Sequence, residues 1–167
     1  MKLVERIEDR LVFELGAREY TLLERLLSFY PLRPEGAPTL SRSGGERMAD
    51  AATLLGDALR EQRVELAAWI SSRLTEGEAL LRAGSAWRLT LTLTEVDALL
   101  RVFNELRVGA WTRLGSPEDL REEVAATAPG QAPFYVIMTL AGQFEIFLLH
   151  ALEAEWPPPP PNTPSPP

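Results

Sequence analysis

Apolar and polar residues alternate in two short runs near the start of the chain. Leu3, Glu5 and Ile7 point one way in the first run, and Leu11, Phe13 and Leu15 in the second. A period of two predicts strands, and Glu8-Asp9-Arg10 between them predicts a β-hairpin. The period then lengthens. Leu22, Leu23, Leu26, Leu27 and Tyr30 fall on one face of a helix over residues 17–30, which Pro31 and Pro34 end. Residues 31–45, PLRPEGAPTLSRSGG, read as a loop. Met48, Ala52, Leu55, Leu59, Leu66 and Ile70 then repeat at helical spacing, broadened by Trp69, and predict a helix over 46–74.

A break over 75–84 leads into a strand at 87–93, with Leu89, Leu91 and Leu93 facing one way and Thr90 and Thr92 the other. Thr94 reads as the cap of the next helix, with Asp97 three residues on; Gly115 suits the position just past its end. Ser116-Pro117-Glu118-Asp119 restarts a short helix ending near Ala126. Pro129, Gly130 and Pro133 separate it from a final helix over 134–155. Residues 10–27 and 88–103 both read as arginine, alternating strand, then amphipathic helix, so two such units could pair their strands in one sheet. The predicted fold is α+β and mostly helical. A small antiparallel or mixed sheet, the hairpin plus one later strand, packs on three long helices at 46–74, 94–114 and 134–155. Residues 1–156 form one globular domain, and 157–167, with eight prolines in eleven residues, form a proline-rich tail.

Composition narrows the chemistry. The chain has 167 residues, a net charge of −7, no cysteine and one histidine. Absent cysteine excludes disulfides, thiolate nucleophiles and cysteine-ligated metal sites, and a lone histidine excludes multi-histidine sites. No metal and no cofactor is expected. A pI near 4.9 argues against a nucleic-acid partner, which needs clustered lysine and arginine. The first ten residues alternate charged with apolar groups, unlike a secretory leader. The stretch 134–152 is apolar enough to suggest a membrane span, but Gln143, Glu145 and His150 interrupt it. It reads as a buried central helix, covered on several sides, in a cytoplasmic protein that meets no membrane.

Arg107 is the most informative single position. On a helical wheel starting from Val96 it falls within the stripe formed by Leu100, Phe103, Ala110, Trp111 and Leu114. A guanidinium there needs a partner, because an unpaired buried charge is costly. Asn104 lies one turn away. Glu145 sits beside Leu152 and Met138 on the final helix, on the wrong side for a solvent carboxylate, and is the natural partner. His150 lies on that helix's polar side with no nucleophile in view. Asp57, Glu61 and Glu65 form a ladder that reads as a solvated face. Ser43-Gly44-Gly45 lacks the lysine and upstream strand of a phosphate loop.

Residues 10–27, Val96 to Arg107 and Thr112-Arg113-Leu114-Gly115 resemble a bacterial domain family of unknown function. That family is known largely from genes beside the adaptor of the Clp protease. The likeness rests on a strand running into a Leu-rich helix, then Asn104-x-x-Arg107 and, six residues on, Arg113-Leu114-Gly115. The closing aromatic-rich helix, with Tyr135 near its start, is also similar. The resemblance implies no catalytic residues, and it implies a role near regulated proteolysis. Asn104, Arg107, Arg113 and Glu145 thus form a candidate buried polar or anion-clamp cluster. Two functions follow as expectations. One is a non-enzymatic protein-interaction or adaptor-like module with a protein partner, a homodimer included. The other is a small enzyme or anion-binding protein using Arg107 and Glu145 in a cleft. A concave, solvent-connected pocket at Arg107 favours ligand binding, and a closed ion pair favours a scaffold role.

Overall fold

A computed structural model describes residues 1–32, 46–75, 77, 79–117 and 130–154, with side chains from residue 54 in the second stretch. Expectations for the 33–45 loop, the short helix at 118–126 and the tail lie outside the described residues.

The predicted hairpin forms as β1 (Lys2–Ile7) and β2 (Arg10–Leu15), joined by a tight turn in which Glu8 takes a positive φ of 51°. The pairing slips between Leu3 and Glu5. That irregularity divides the expected Leu3, Glu5, Ile7 face. Leu3 lies opposite Phe13, on the core side, whereas Glu5 and Ile7 lie opposite Val12 and Arg10. Ile7 is 52% exposed as a result.

Two further strands, β3 (Leu80–Ala83) and β4 (Ala86–Thr92), complete one antiparallel sheet in the order β1-β2-β4-β3. β3 falls in the stretch expected to be a break, so the sheet has four strands where three were anticipated. Its turn uses Gly84 at φ 65°, the left-handed conformation that glycine adopts without steric cost. In the centre of the sheet Leu11 pairs with Leu91, Phe13 with Leu89 and Leu15 with Trp87. The leucines and Phe13 are fully buried and floor the core.

Helix α1 (Ala17–Leu27) buries Leu23, Leu26 and Leu27. The backbone N–H of Gly16 donates to the Glu19 carboxylate at 2.8 Å, satisfying one of the free donors at the helix start. The helix ends three residues before Tyr30, which lies in a tighter final turn bonded to Leu27. Leu22, expected on the core face, is 40% exposed. Helix α2 (Glu46–Trp69) continues into a six-residue π-helical segment, Ile70–Thr75. The latter buries Ile70 and Leu74.

Helix α3 (Leu93–Arg113) begins two residues earlier than the expected Thr94 cap. Thr92 caps it: its hydroxyl accepts from the Glu95 N–H at 3.2 Å, and the Glu95 carboxylate accepts from the Thr92 N–H at 2.8 Å. A threonine and a glutamate three apart can satisfy both donors reciprocally, which the shorter Asp97 side chain does less well. Gly115 follows the helix at φ 89°, as its position predicts. Ser116 has φ 59°, in the left-handed region. Gly109 lies under the chain at Leu32, whose carbonyl oxygen would be 2.5 Å from an added Cβ.

Helix α4 (Ala132–Glu153) packs along α3, with Phe103 and Phe144 rings stacked at 5.6 Å. Ile137, Ala141, Phe144 and Leu148 are buried there. α4 is long and apolar enough to cross a membrane by length and composition alone. Most of its apolar side chains are buried or half-buried against α1, α3 and the sheet, but Val136, Ile146, Phe147 and Leu149 are 42–53% exposed.

Candidate functional site

The exposed flanks of α3 and α4 enclose an open groove of about 480 Å³. Val108 and Trp111 form its α3 wall, and Tyr135, Met138 and Ile146 its α4 wall. Arg107 stands at the rim. The groove exists because α3 carries apolar residues outside its core stripe. Val96, Leu99, Val102, Leu106 and Ala110 are buried. Their mean direction lies about 80° from Arg107 on the helical wheel. Leu99, Val102 and Leu106 pull the core stripe away from the Leu100–Trp111 side, so Arg107 sits at its margin. This corrects the expectation of an arginine in the middle of the buried face.

The Arg107–Glu145 contact does form. Arg107 Nε lies 3.5 Å from Glu145 Oε2, and an Arg107 terminal nitrogen donates to Asn104 Oδ1 at 3.1 Å. The guanidinium side chain is 47% exposed and the carboxylate 18%. The bridge is therefore long and lopsided, not buried. Gly142 lies beside the Arg107 stem, where an added Cβ would sit 3.9 Å from its Cδ, an ordinary van der Waals contact. Arg113, the fourth candidate, does not line the groove. Its guanidinium lies over the Phe134 ring, 5.4 Å from the centroid, and ties the end of α3 to the start of α4.

The aromatic walls were not among the sequence candidates. Their signal was present: Val108 and Trp111 follow Arg107 one and four residues later, on the side of α3 that the buried stripe leaves free. Trp111 is held by its indole N–H, which donates to the Pro117 carbonyl at 3.2 Å. Thr139 turns its hydroxyl onto the Tyr135 carbonyl at 2.9 Å, which leaves an apolar floor beside the exposed Gln143 amide.

Two charged pairs outside the groove brace α2 and the π-helical segment. Arg63 meets Glu105 at 3.0 Å and Arg73 meets Glu95 at 2.7 Å. Burial works to raise the Glu95 carboxyl, but bonds from Arg73 and Thr92 prevail and hold it below its ordinary value. Among the described residues the buried Tyr30 hydroxyl has no partner in good hydrogen-bond geometry, although the Glu105 carboxylate lies near enough to act on it. Burial and that carboxylate push the phenol well above its ordinary range. His150 is exposed on α4. Asp57 pairs with Arg60 at 2.6 Å on the outer face of α2. Among the described residues no three histidine or carboxylate side chains converge as metal ligands would.

Chemically, the groove offers apolar surface, two aromatic rings and one guanidinium whose own carboxylate holds it loosely. Such an arrangement suits binding of an apolar body that carries an anion. No family model, curated protein or solved structure matches the chain.

Proposed function

We propose that the protein is a non-enzymatic interaction module whose α3–α4 groove receives an apolar segment of a protein partner, with an acidic side chain placed against Arg107. The observation that carries this reading is the groove itself: aromatic anchors beside a half-exposed guanidinium. Apolar side chains exposed around one concavity mark interaction sites more often than plain surface. The resemblance to a family encoded beside the Clp adaptor suggests regulated proteolysis as the process and the cytoplasm as the setting. A second reading, an anion-binding protein for a small amphipathic carboxylate, draws support from the groove's volume. It falls within the range of roughly 300–1,000 Å³ typical of ligand pockets.

Selection from a displayed library of random dodecapeptides tests the first reading, with the Ile146→Glu variant as counter-target. Ile146 is 53% exposed, so the substitution leaves the core intact, which circular dichroism checks. The wild type should enrich peptides with apolar residues at helical spacing and at least one acid, and Ile146→Glu should not retain them. No enrichment, or equal retention by both, overturns the reading.

A further inference from the structure

Helix α2 carries leucines that the described residues leave uncovered. Its C-terminal part is seated on the body through Arg63–Glu105, and the π-helical segment through Arg73–Glu95. Those contacts are ten residues apart on each side, 63 and 73 against 105 and 95, so α2 runs antiparallel beside α3. From residue 54 to Arg63 its leucines stand free. Leu54, Leu55 and Leu59 are 71%, 52% and 36% exposed. Glu61 and Glu65 border this stripe on its Leu54 edge, and among the described residues neither carries an ion pair.

The groove is the complement of that stripe. From Leu54 to Glu65, and from Tyr135 to Ile146, is eleven residue steps, about 17 Å of helix in each case. The stripe offers apolar side chains edged by unpaired acids; the groove offers apolar walls edged by Arg107, whose nearest carboxylate is 3.5 Å away. The same chain cannot join the two. Arg63 holds α2 on the Glu105 side of α3, well over 100° around the helix from Arg107 and Trp111. Bringing Leu55 and Leu59 into that groove would break α2, whereas a second molecule needs no such change.

We infer that the occupant of the groove is a second copy of this chain: the leucine stripe of α2 in each copy lies between α3 and α4 of the other, with Glu61 against Arg107. This rests on reading the groove as a binding site and names its partner. Sedimentation equilibrium of the full chain from low to high micromolar concentration should show a dimer. Leu55→Glu with Leu59→Glu, and separately Ile146→Glu, should each shift dissociation at least tenfold towards monomer. Mixing the two variants should restore association in part, because one intact stripe then meets one intact groove. A second measurement does not rely on charged substitutions. The chain has no cysteine, so Leu59→Cys with Ile146→Cys should give an interchain disulfide on mild oxidation, and Leu59→Cys alone should give far less. A monomer at every concentration, a dimer that survives both variants, or equal cross-linking of the single and double cysteine variants overturns the inference. A monomer that still enriches acidic amphipathic peptides would sink the self-association and leave the groove's binding role standing.

Discussion

Replacing Glu95 by alanine should destabilise the fold by about 2 kcal/mol, the sum of a lost cap and a lost charged hydrogen bond. Glu95 serves two elements at once. Its carboxylate accepts from the Thr92 backbone at 2.8 Å, closing the start of α3, and from Arg73 Nε at 2.7 Å, tying down the segment after α2. The cap is worth about 1 kcal/mol. The Arg73 bond adds about another, discounted because Arg73 is 43% exposed and solvent screens such pairs. Glu95→Gln keeps an oxygen for Thr92 and should cost roughly half as much. Urea titration followed by circular dichroism reads both. The acid limb supplies an independent check. The folded-state carboxyl titrates below its ordinary value of 4.5, so its contribution is fully present above that pH and is lost as pH falls through the depressed value. The gap between wild type and Glu95→Gln should therefore narrow steadily in acid. An alanine variant within about 0.5 kcal/mol of wild type, or a gap that stays constant with pH, would refute the argument.

Two other outcomes follow from the same geometry. Arg107→Met or Glu145→Gln should change stability by at most about 1 kcal/mol in the urea assay, because a long bridge with one exposed partner contributes little; a loss of 3 kcal/mol would mean a buried pair. Tyr30→Phe should leave stability unchanged or raise it by up to about 1 kcal/mol, since it removes a buried hydroxyl that lacks a well-placed partner among the described residues. A clear loss in thermal melting would show that the hydroxyl is bonded after all.

Much of the fold was legible because burial follows period. The hairpin, α1, β4, α3 and α4 were all placed within a few residues by alternation or helical spacing. β3 was missed because only four residues form it at a sheet edge, where one neighbour suffices and Leu81 remains 54% exposed. Gly84-Ser85 between two alanines was an available hairpin signal. The α3 cap was displaced because two threonines compete in Thr92-Leu93-Thr94, and strand geometry decides between them. The site was half legible. Spacing brought Arg107 and Glu145 onto facing helices, and they do meet. A wheel that weights Leu100 and Trp111 equally with Leu99, Val102 and Leu106 cannot tell a core stripe from an apolar surface beside it. Only the position of α4 separates the two, and that depends on contacts between residues far apart in sequence.

The strand order carries a consequence for how the molecule assembles. Each hairpin, β1–β2 and β3–β4, joins neighbours in the chain and can close within microseconds. The seam that makes one sheet of them, Arg10 against Thr92 through Leu15 against Trp87, links residues about eighty positions apart and carries the loop-closure entropy of everything between them. Folding should wait on that seam. Leu91→Ala, which trims the Leu11–Leu91 pair inside that seam, should slow refolding more than it speeds unfolding if the central pairing is the slow step.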